Sequence, residues 1–419
     1  MKRSVNRTPG SILSAPVGAG IMTGIVGFSA AFSIVLGGLE AVGASRAQAA
    51  SGLLALTVTM GAISIVLSWR YRMPITSAWS TPGAALLMTT ATVAGGWPVA
   101  VGAFIVCGIL LTVTGLLPFL ARLVQRIPVG IAQAMLAGIL LPLGIAPISA
   151  LVINPLAVAP VLIVWLLLFR LRPQWAIPGA LLTALIVIGV SIQSSSTKIS
   201  TAHIMPRLEW TAPEFTLQAC IGIALPLYIV TMASQNIPGL AVMSSFGYSL
   251  PWRASLTTTG IGTILTAPFG GHALNLAAIS AALAAGPEAG PQQRRWIAGV
   301  AAGCSYIVLG VLSTGLATLI LAGPAGVLPT IAGVALLSTF MSSIAQAFSN
   351  ASQRLPAAIT FLVAASGVSA LGLSSAFWAL GAGLIARWAL SGSSDSDSDS
   401  DSSCQPGKQF DAPPDKPGE

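Results

Sequence analysis

Long apolar runs, separated by short clusters of Arg, Pro and Gly, recur along nearly the whole chain. They cover residues 16–42, 51–69, 98–120, 129–146, 155–169 and 175–192, and then 217–233, 254–268, 296–316, 327–348, 356–371 and 374–390. Runs of this kind suit membrane-spanning helices, which need about 20 mainly apolar residues. The short alternating segments of a membrane β-barrel are absent from the pattern. Two further stretches, 74–94 and 270–285, are apolar but interrupted by Ser, Thr, Pro and Gly. Counting them, the pattern predicts fourteen spans, with seven in residues 1–193 and seven in residues 217–390. An external polar linker at 194–216 joins the halves, and an acidic, low-complexity tail at 391–419 follows, its composition that of a disordered segment.

Charge placement tests this count. With the N-terminus in the cytoplasm and strict alternation, all but three of the 19 basic residues fall inside, the exceptions being Arg46, Lys198 and Arg207. That asymmetry is the one expected of an inner-membrane protein with both termini cytoplasmic. An odd number of spans per half makes the second half enter from the opposite side, so the halves form inverted repeats. Composition agrees, with 54% hydrophobic and 7% charged residues. The net charge of +8 is spread between spans and not gathered into a patch for nucleic acid. Four scattered cysteines, Cys107, Cys220, Cys304 and Cys404, lack metal-ligand spacing, and no cofactor or metal is expected. No nucleophile–base constellation points to an enzyme.

The interruptions carry the candidate chemistry. In "PITSAWSTPGAALLMTT", Ser80 or Thr81 suits a helix cap, Pro82 the first helical turn, and Gly83 close approach. A half-length helix is expected after them. In "TAPFGGHALNLAAISAAL", Gly270 and Gly271 break the chain and a short helix runs to Ala285, with His272 at its start and Asn275 just beyond. Both interruptions fall in the third span of their half. Inversion therefore predicts two half-helix N-termini facing each other near the midplane, a favourable place for an anion. Gln235 and Asn236 end the eighth run and are candidates for hydrogen bonds to a carboxylate. The first span supplies Phe28, Ser29, Phe32 and Ser33, and Phe28 and Phe32, one turn apart, are placed to flank an aromatic ring. His272 is the intramembrane ionisable group and the candidate for binding the anion or coupling to protons.

At these residues the chain resembles the benzoate/proton symporter (BenE) family. The stretches that carry the likeness are "WRYRMPITSAWSTPGAALL", "ALPLYIVTMASQNIPGLAVM", "AAGPEAGPQQRRWIAGVAAGCSYIVLG" and "VALLSTFMSSIAQAF", within residues 10–390. The resemblance implies import of benzoate or a similar aromatic carboxylate with a proton. It also implies an all-α polytopic fold shared more distantly with nucleobase transporters and sulfate permeases, with 7+7 inverted repeats and broken third and tenth spans of strand plus half-helix. Spans 1–4 and 8–11 would form a core domain, and spans 5–7 and 12–14 a gate domain. The core would move against the gate like an elevator, and gate domains would pair in a homodimer. Nucleobase transporters of this wider fold carry acids on their eighth and tenth spans. Gln235 stands near the first of these places and the tenth span has no acid, a difference that suits an anionic substrate. A nucleobase or inorganic-anion transporter, or an uncoupled anion pathway, is the alternative.

Overall fold

A computed structural model describes residues 9–90, 95–117, 128–195, 205–368 and 373–391, with the single positions 119, 122 and 370. The tail beyond 391, His203 and Lys198 lie outside the described residues. The helices are α1 (Pro9–Ser29), α2 (Phe32–Ala41), α3 (Arg46–Tyr71), α4 (Thr81–Thr89), α5 (Trp97–Leu116), α6 (Val129–Ile153), α7 (Pro155–Leu171) and α8 (Ala176–Ser195). The second half supplies α9 (Leu217–Ser245), α10 (Trp252–Thr266), α11 (Ile279–Ala285), α12 (Trp296–Leu321), α13 (Val327–Ala347), α14 (Arg354–Ala365) and α15 (Ser375–Ser391). Two short strands, β1 (Ser77–Trp79) and β2 (Leu274–Leu276), precede α4 and α11. Among the described residues, 8 helical stretches are long and apolar enough to cross a membrane. Shorter pieces fill the remaining expected spans.

β1 and β2 pair antiparallel, Ser77 opposite Leu276 and Trp79 opposite Leu274. Equivalent segments of the two halves thus run in opposite directions where they meet, as inverted repeats require. The helix packing repeats in the same sense. α3 lies along α12, and its counterpart α10 lies along α5. Each crossing is made at a glycine pair. A Cβ on Gly61 would stand 2.6 Å from the Gly303 carbonyl oxygen, and one on Gly260 would stand 2.9 Å from that of Gly108. Small residues let two backbones approach where lipid gives helices no hydrophobic reason to associate. The elements α6, α13 and α14 pack together beside the broken spans, and α7–α8 and α14–α15 form hairpins.

The structure departs from the pattern at three places. The first span is broken at Ala30–Ala31, which sequence did not signal. The fifth span, α6, runs through Pro147 to Ile153 and does not end near residue 146. The eighth span, α9, runs to Ser245, past Pro238, because it contains π-helical turns at Cys220–Ala224 and Met232–Asn236. Each π turn ends two residues before a proline, Pro226 or Pro238. The wider turn, in which the N–H of Ile237 reaches the Met232 carbonyl, relieves the clash between a proline ring and the carbonyl four residues back.

Candidate functional site

A two-stranded ribbon in the middle of a membrane protein has two open edges. Their N–H groups must find partners inside the protein, because each unsatisfied one costs roughly several kcal/mol in a hydrocarbon setting. Here side chains supply them. The Ser77 N–H donates to Ser64 Oγ on α3 at 2.9 Å, and the Leu274 N–H donates to Thr263 Oγ1 on α10 at 2.9 Å. Ser64 and Thr263 each follow their crossing glycine by three residues, in "GAIS" and "GIGT". The inverted repeat therefore supplies a hydroxyl to each strand from an equivalent helix position. α9 completes the job. Its π turn puts Thr231 and Asn236, five residues apart, on one face toward the ribbon. Thr231 Oγ1 donates to Ser80 Oγ at 2.8 Å, and Asn236 Oδ1 accepts from the Leu276 N–H at 3.0 Å.

Ser80 is the cap of α4. Its Oγ accepts from the Gly83 N–H at 3.1 Å, and its own N–H donates to the Ala273 carbonyl at 2.8 Å. Gly83 is needed for fit, since a Cβ there would stand 2.5 Å from Leu227 Cδ1. Thr81 is half-buried and its hydroxyl has no partner among the described residues. Of the two candidate caps, Ser80 therefore makes the helix and Thr81 is left available to a ligand.

The expectation that His272 begins the second half-helix is corrected. Residues 274–276 form β2, α11 starts at Ile279, and His272 lies before the strand. Strand pairing brings it to the start of α4, where Nε2 is 3.1 Å from the Ser80 carbonyl oxygen. A carbonyl only accepts, so Nε2 carries a hydrogen, and Nδ1 is buried without a partner among the described residues. The Phe104 ring packs edge-on at 6.5 Å. The two half-helices leave the antiparallel ribbon at its two ends. Ser80 is bonded to Ala273 at one end of the ribbon and Ala277 to Thr76 at the other, so α4 and α11 start from opposite ends. α11 is only 7 residues long, and the polar chemistry gathers at the start of α4.

The aromatic expectation changes in the same way. Phe28 and Phe32 stack on each other, centroids 5.3 Å apart and planes at 8°, so no third ring fits between them. Phe28 also meets Trp79 at 5.7 Å. The three rings form one wall beside Ser80 instead of two jaws, and Trp79 was not singled out by its sequence. Ser29 Oγ donates back to the Ile25 carbonyl at 2.6 Å. Asn275 is fully buried, and with its amide oriented to satisfy both ends it donates to the Leu276 carbonyl at 2.8 Å and accepts from the Ser80 N–H at 3.1 Å. Gly271 folds onto Thr266, to whose carbonyl its N–H donates at 2.9 Å. Asn236 also contacts Met232 Sδ at 3.5 Å.

The candidates thus separate. Ser29, Ser80, Gly83, Asn236, Gly271 and Asn275 build the ribbon and its surroundings. Thr81, Gln235 and Nδ1 of His272 keep polar groups without protein partners among the described residues. Gln235 lies in the π turn and is half-buried. Among the described residues no group of His, Cys, Asp and Glu gathers to hold a metal. Sequence reading missed Ser64, Ser77, Trp79, Thr231 and Thr263. The repeated Gly-x-x-Ser/Thr was the available signal for two of them.

Comparisons with known proteins place this geometry. The chain matches the profile of the benzoate membrane transport protein (BenE) family over residues 11–389. It is 36% identical to the inner membrane protein YdcO of Escherichia coli over 368 residues, 87% of this chain and 93% of that one. It is 31% identical to a benzoate membrane transport protein of Acinetobacter baylyi over 387 residues, 90% of this chain and 95% of that one. Among solved structures, the transmembrane domain of a cyanobacterial bicarbonate transporter, BicA, is similar with a TM-score of 0.58 and 17% identity, covering 91% of this chain and 99% of that one. SLC26A9 is similar with a TM-score of 0.61 and 11% identity, covering 92% of this chain and 66% of that one. At such identities the two structures establish the shared fold alone. The match over nearly the whole length, with the two curated relatives, makes this chain a membrane transporter of the BenE family.

Proposed function

We propose that this protein imports benzoate or a related aromatic carboxylate together with a proton. The observation that carries the reading is the composition of the α4 start. There a free Thr81 hydroxyl and the first turn of a helix lie beside a wall of Phe28, Phe32 and Trp79, with no carboxylate from the tenth segment to repel an anion. A helix N-terminus and neutral donors suit a carboxylate, and an aromatic face suits the ring that carries it. The free amide of Gln235 on α9 supplies a further donor. His272 is the proposed proton carrier, through its unpartnered Nδ1.

The movement proposed is that of a core of spans 1–4 and 8–11 against a gate of spans 5–7 and 12–14, with both termini cytoplasmic and gates paired in a homodimer. The ribbon supports such a division. It ties α3, α9 and α10 together through side chains of both halves, so these elements would move as one body.

Thr81→Val keeps the shape and removes one donor. A hydrogen bond to a charged group contributes about 1.5–3 kcal/mol, so the half-saturating benzoate concentration should rise on the order of ten-fold or more. Folded yield and thermal stability should not change, because Ser80 and not Thr81 caps α4. Uptake kinetics in proteoliposomes check this. An unchanged half-saturating concentration would remove Thr81 from the site.

A further inference from the structure

At the end of the molecule opposite the 205–215 segment, α3 finishes at Tyr71 and α10 starts at Trp252. Between them lies an open groove of about 420 Å³, lined by Tyr71, Pro251, Trp252, Arg253, Ala254 and Thr257. The groove sits where two spans end, the level at which lipid head groups meet the protein. The exposed Trp69, two residues before Tyr71, marks the same level as an interfacial anchor.

Its charge is one-sided. Arg253 is exposed on the groove wall, and the Arg70 guanidinium lies 5.5 Å from the centre of the Tyr71 ring. Neither guanidinium has a hydrogen bond or ion pair among the described residues. Their basic neighbours are occupied otherwise. Arg72 stacks on the Trp296 ring at 4.2 Å, and Arg295 donates to the carbonyls of Ala285 and Gly290 at 2.6 and 2.8 Å. Glu288, in the turn Pro287–Ala289, pairs with neither Arg70 nor Arg253 among the described residues. Two guanidinium groups without a hydrogen-bond or ion-pair partner among the described residues, one on the groove wall and one over the Tyr71 ring that lines it, complement a phosphodiester.

We infer that this groove holds the head group of an anionic phospholipid, with Arg253 and Arg70 on the phosphate and Tyr71 and Trp252 against the glycerol and upper acyl carbons. The bound lipid joins the ends of the two helices whose Ser64 and Thr263 hold the ribbon, so it bears on the same body that carries the substrate site.

Binding of phosphatidylglycerol to the detergent-purified protein, followed by native mass spectrometry, tests this. Each basic residue near an anionic lipid contributes about five-fold in affinity. Arg253→Gln and Arg70→Gln, on separate helices and both at exposed positions, should each weaken binding by about that factor. Arg387→Gln, at the exposed end of α15, should not. Phosphatidylcholine should bind weakly to the unaltered protein, and millimolar inorganic phosphate should fail to displace phosphatidylglycerol. Equal binding of the two lipids, full displacement by inorganic phosphate, or unaltered phosphatidylglycerol binding in both groove variants would overturn the inference.

Discussion

Replacing Asn236 by leucine is expected to abolish uptake and to lower thermal stability together. Asn236 is fully buried, and its Oδ1 is the partner of the Leu276 N–H at 3.0 Å. Leucine fills a similar volume but accepts nothing, so a ribbon N–H is left without a partner away from water. That penalty is about 1–3 kcal/mol before any shift of β2 is counted. β2 in turn holds β1 and the cap of α4, through the Ser77 hydroxyl on the Asn275 carbonyl at 2.9 Å and the Ser80 N–H on Ala273. A loosened strand therefore reaches the proposed substrate site at the start of α4 directly. Gln235→Leu makes the informative contrast. It should weaken substrate binding and leave the melting temperature near that of the unaltered protein. Thermal unfolding in detergent, run beside uptake, separates the two roles. If Asn236→Leu melts normally and loses only affinity, its amide belongs to the substrate and not to the ribbon.

The second large effect is expected at Gly52. A Cβ there would stand 2.4 Å from the Gly270 carbonyl oxygen and 2.7 Å from its carbon. Both are backbone atoms and cannot rotate away. Gly270 is itself at φ +96°, turning the chain from α10 toward His272, and cannot easily be moved. Overpacking of this kind costs about 1–3 kcal/mol, or more where nothing flexible yields. Gly52→Ala should therefore displace the Gly270–His272 turn and reduce uptake to roughly a tenth or below, which corresponds to about 1.4 kcal/mol. Gly18→Ala, where a Cβ meets nothing within 4 Å, should be neutral and serves as the control. Comparable uptake by the two variants would mean that the α3–Gly270 contact does not set the position of His272.

Much of this fold was legible because span length, basic loops and paired interruptions are strong signals. The positions of Pro82, Gly83, Gly270 and Gly271 located both broken segments. What happens inside them was less legible. "HALNLAA" is too short for alternation to distinguish a strand from a helix start, and so the pattern suggests a helix at His272 where the chain forms a turn and then β2. Ser80 and Thr81 are both competent caps, and only geometry assigns the role. The break at Ala30–Ala31 lies in "FSAAFS", which contains neither Pro nor Gly. The stacking of Phe28 on Phe32 follows from their spacing, one turn apart, but their mutual contact excludes the ring that the same spacing suggested they would hold. The hydroxyls of Ser64 and Thr263 look like ordinary helix residues until the strands they serve are in place.

Uptake of labelled benzoate into proteoliposomes under an imposed pH gradient is the decisive assay for proton-coupled transport of an aromatic carboxylate. Uptake should be concentrative and saturable when the outside is acidic, collapse with a protonophore, and be competed by aromatic acids but not by uracil or sulfate. His272→Gln should abolish the response to the gradient. Gradient-independent equilibration of benzoate in protein-containing vesicles, or gradient-driven uptake of uracil or sulfate without uptake of benzoate, would contradict proton-coupled transport of an aromatic carboxylate.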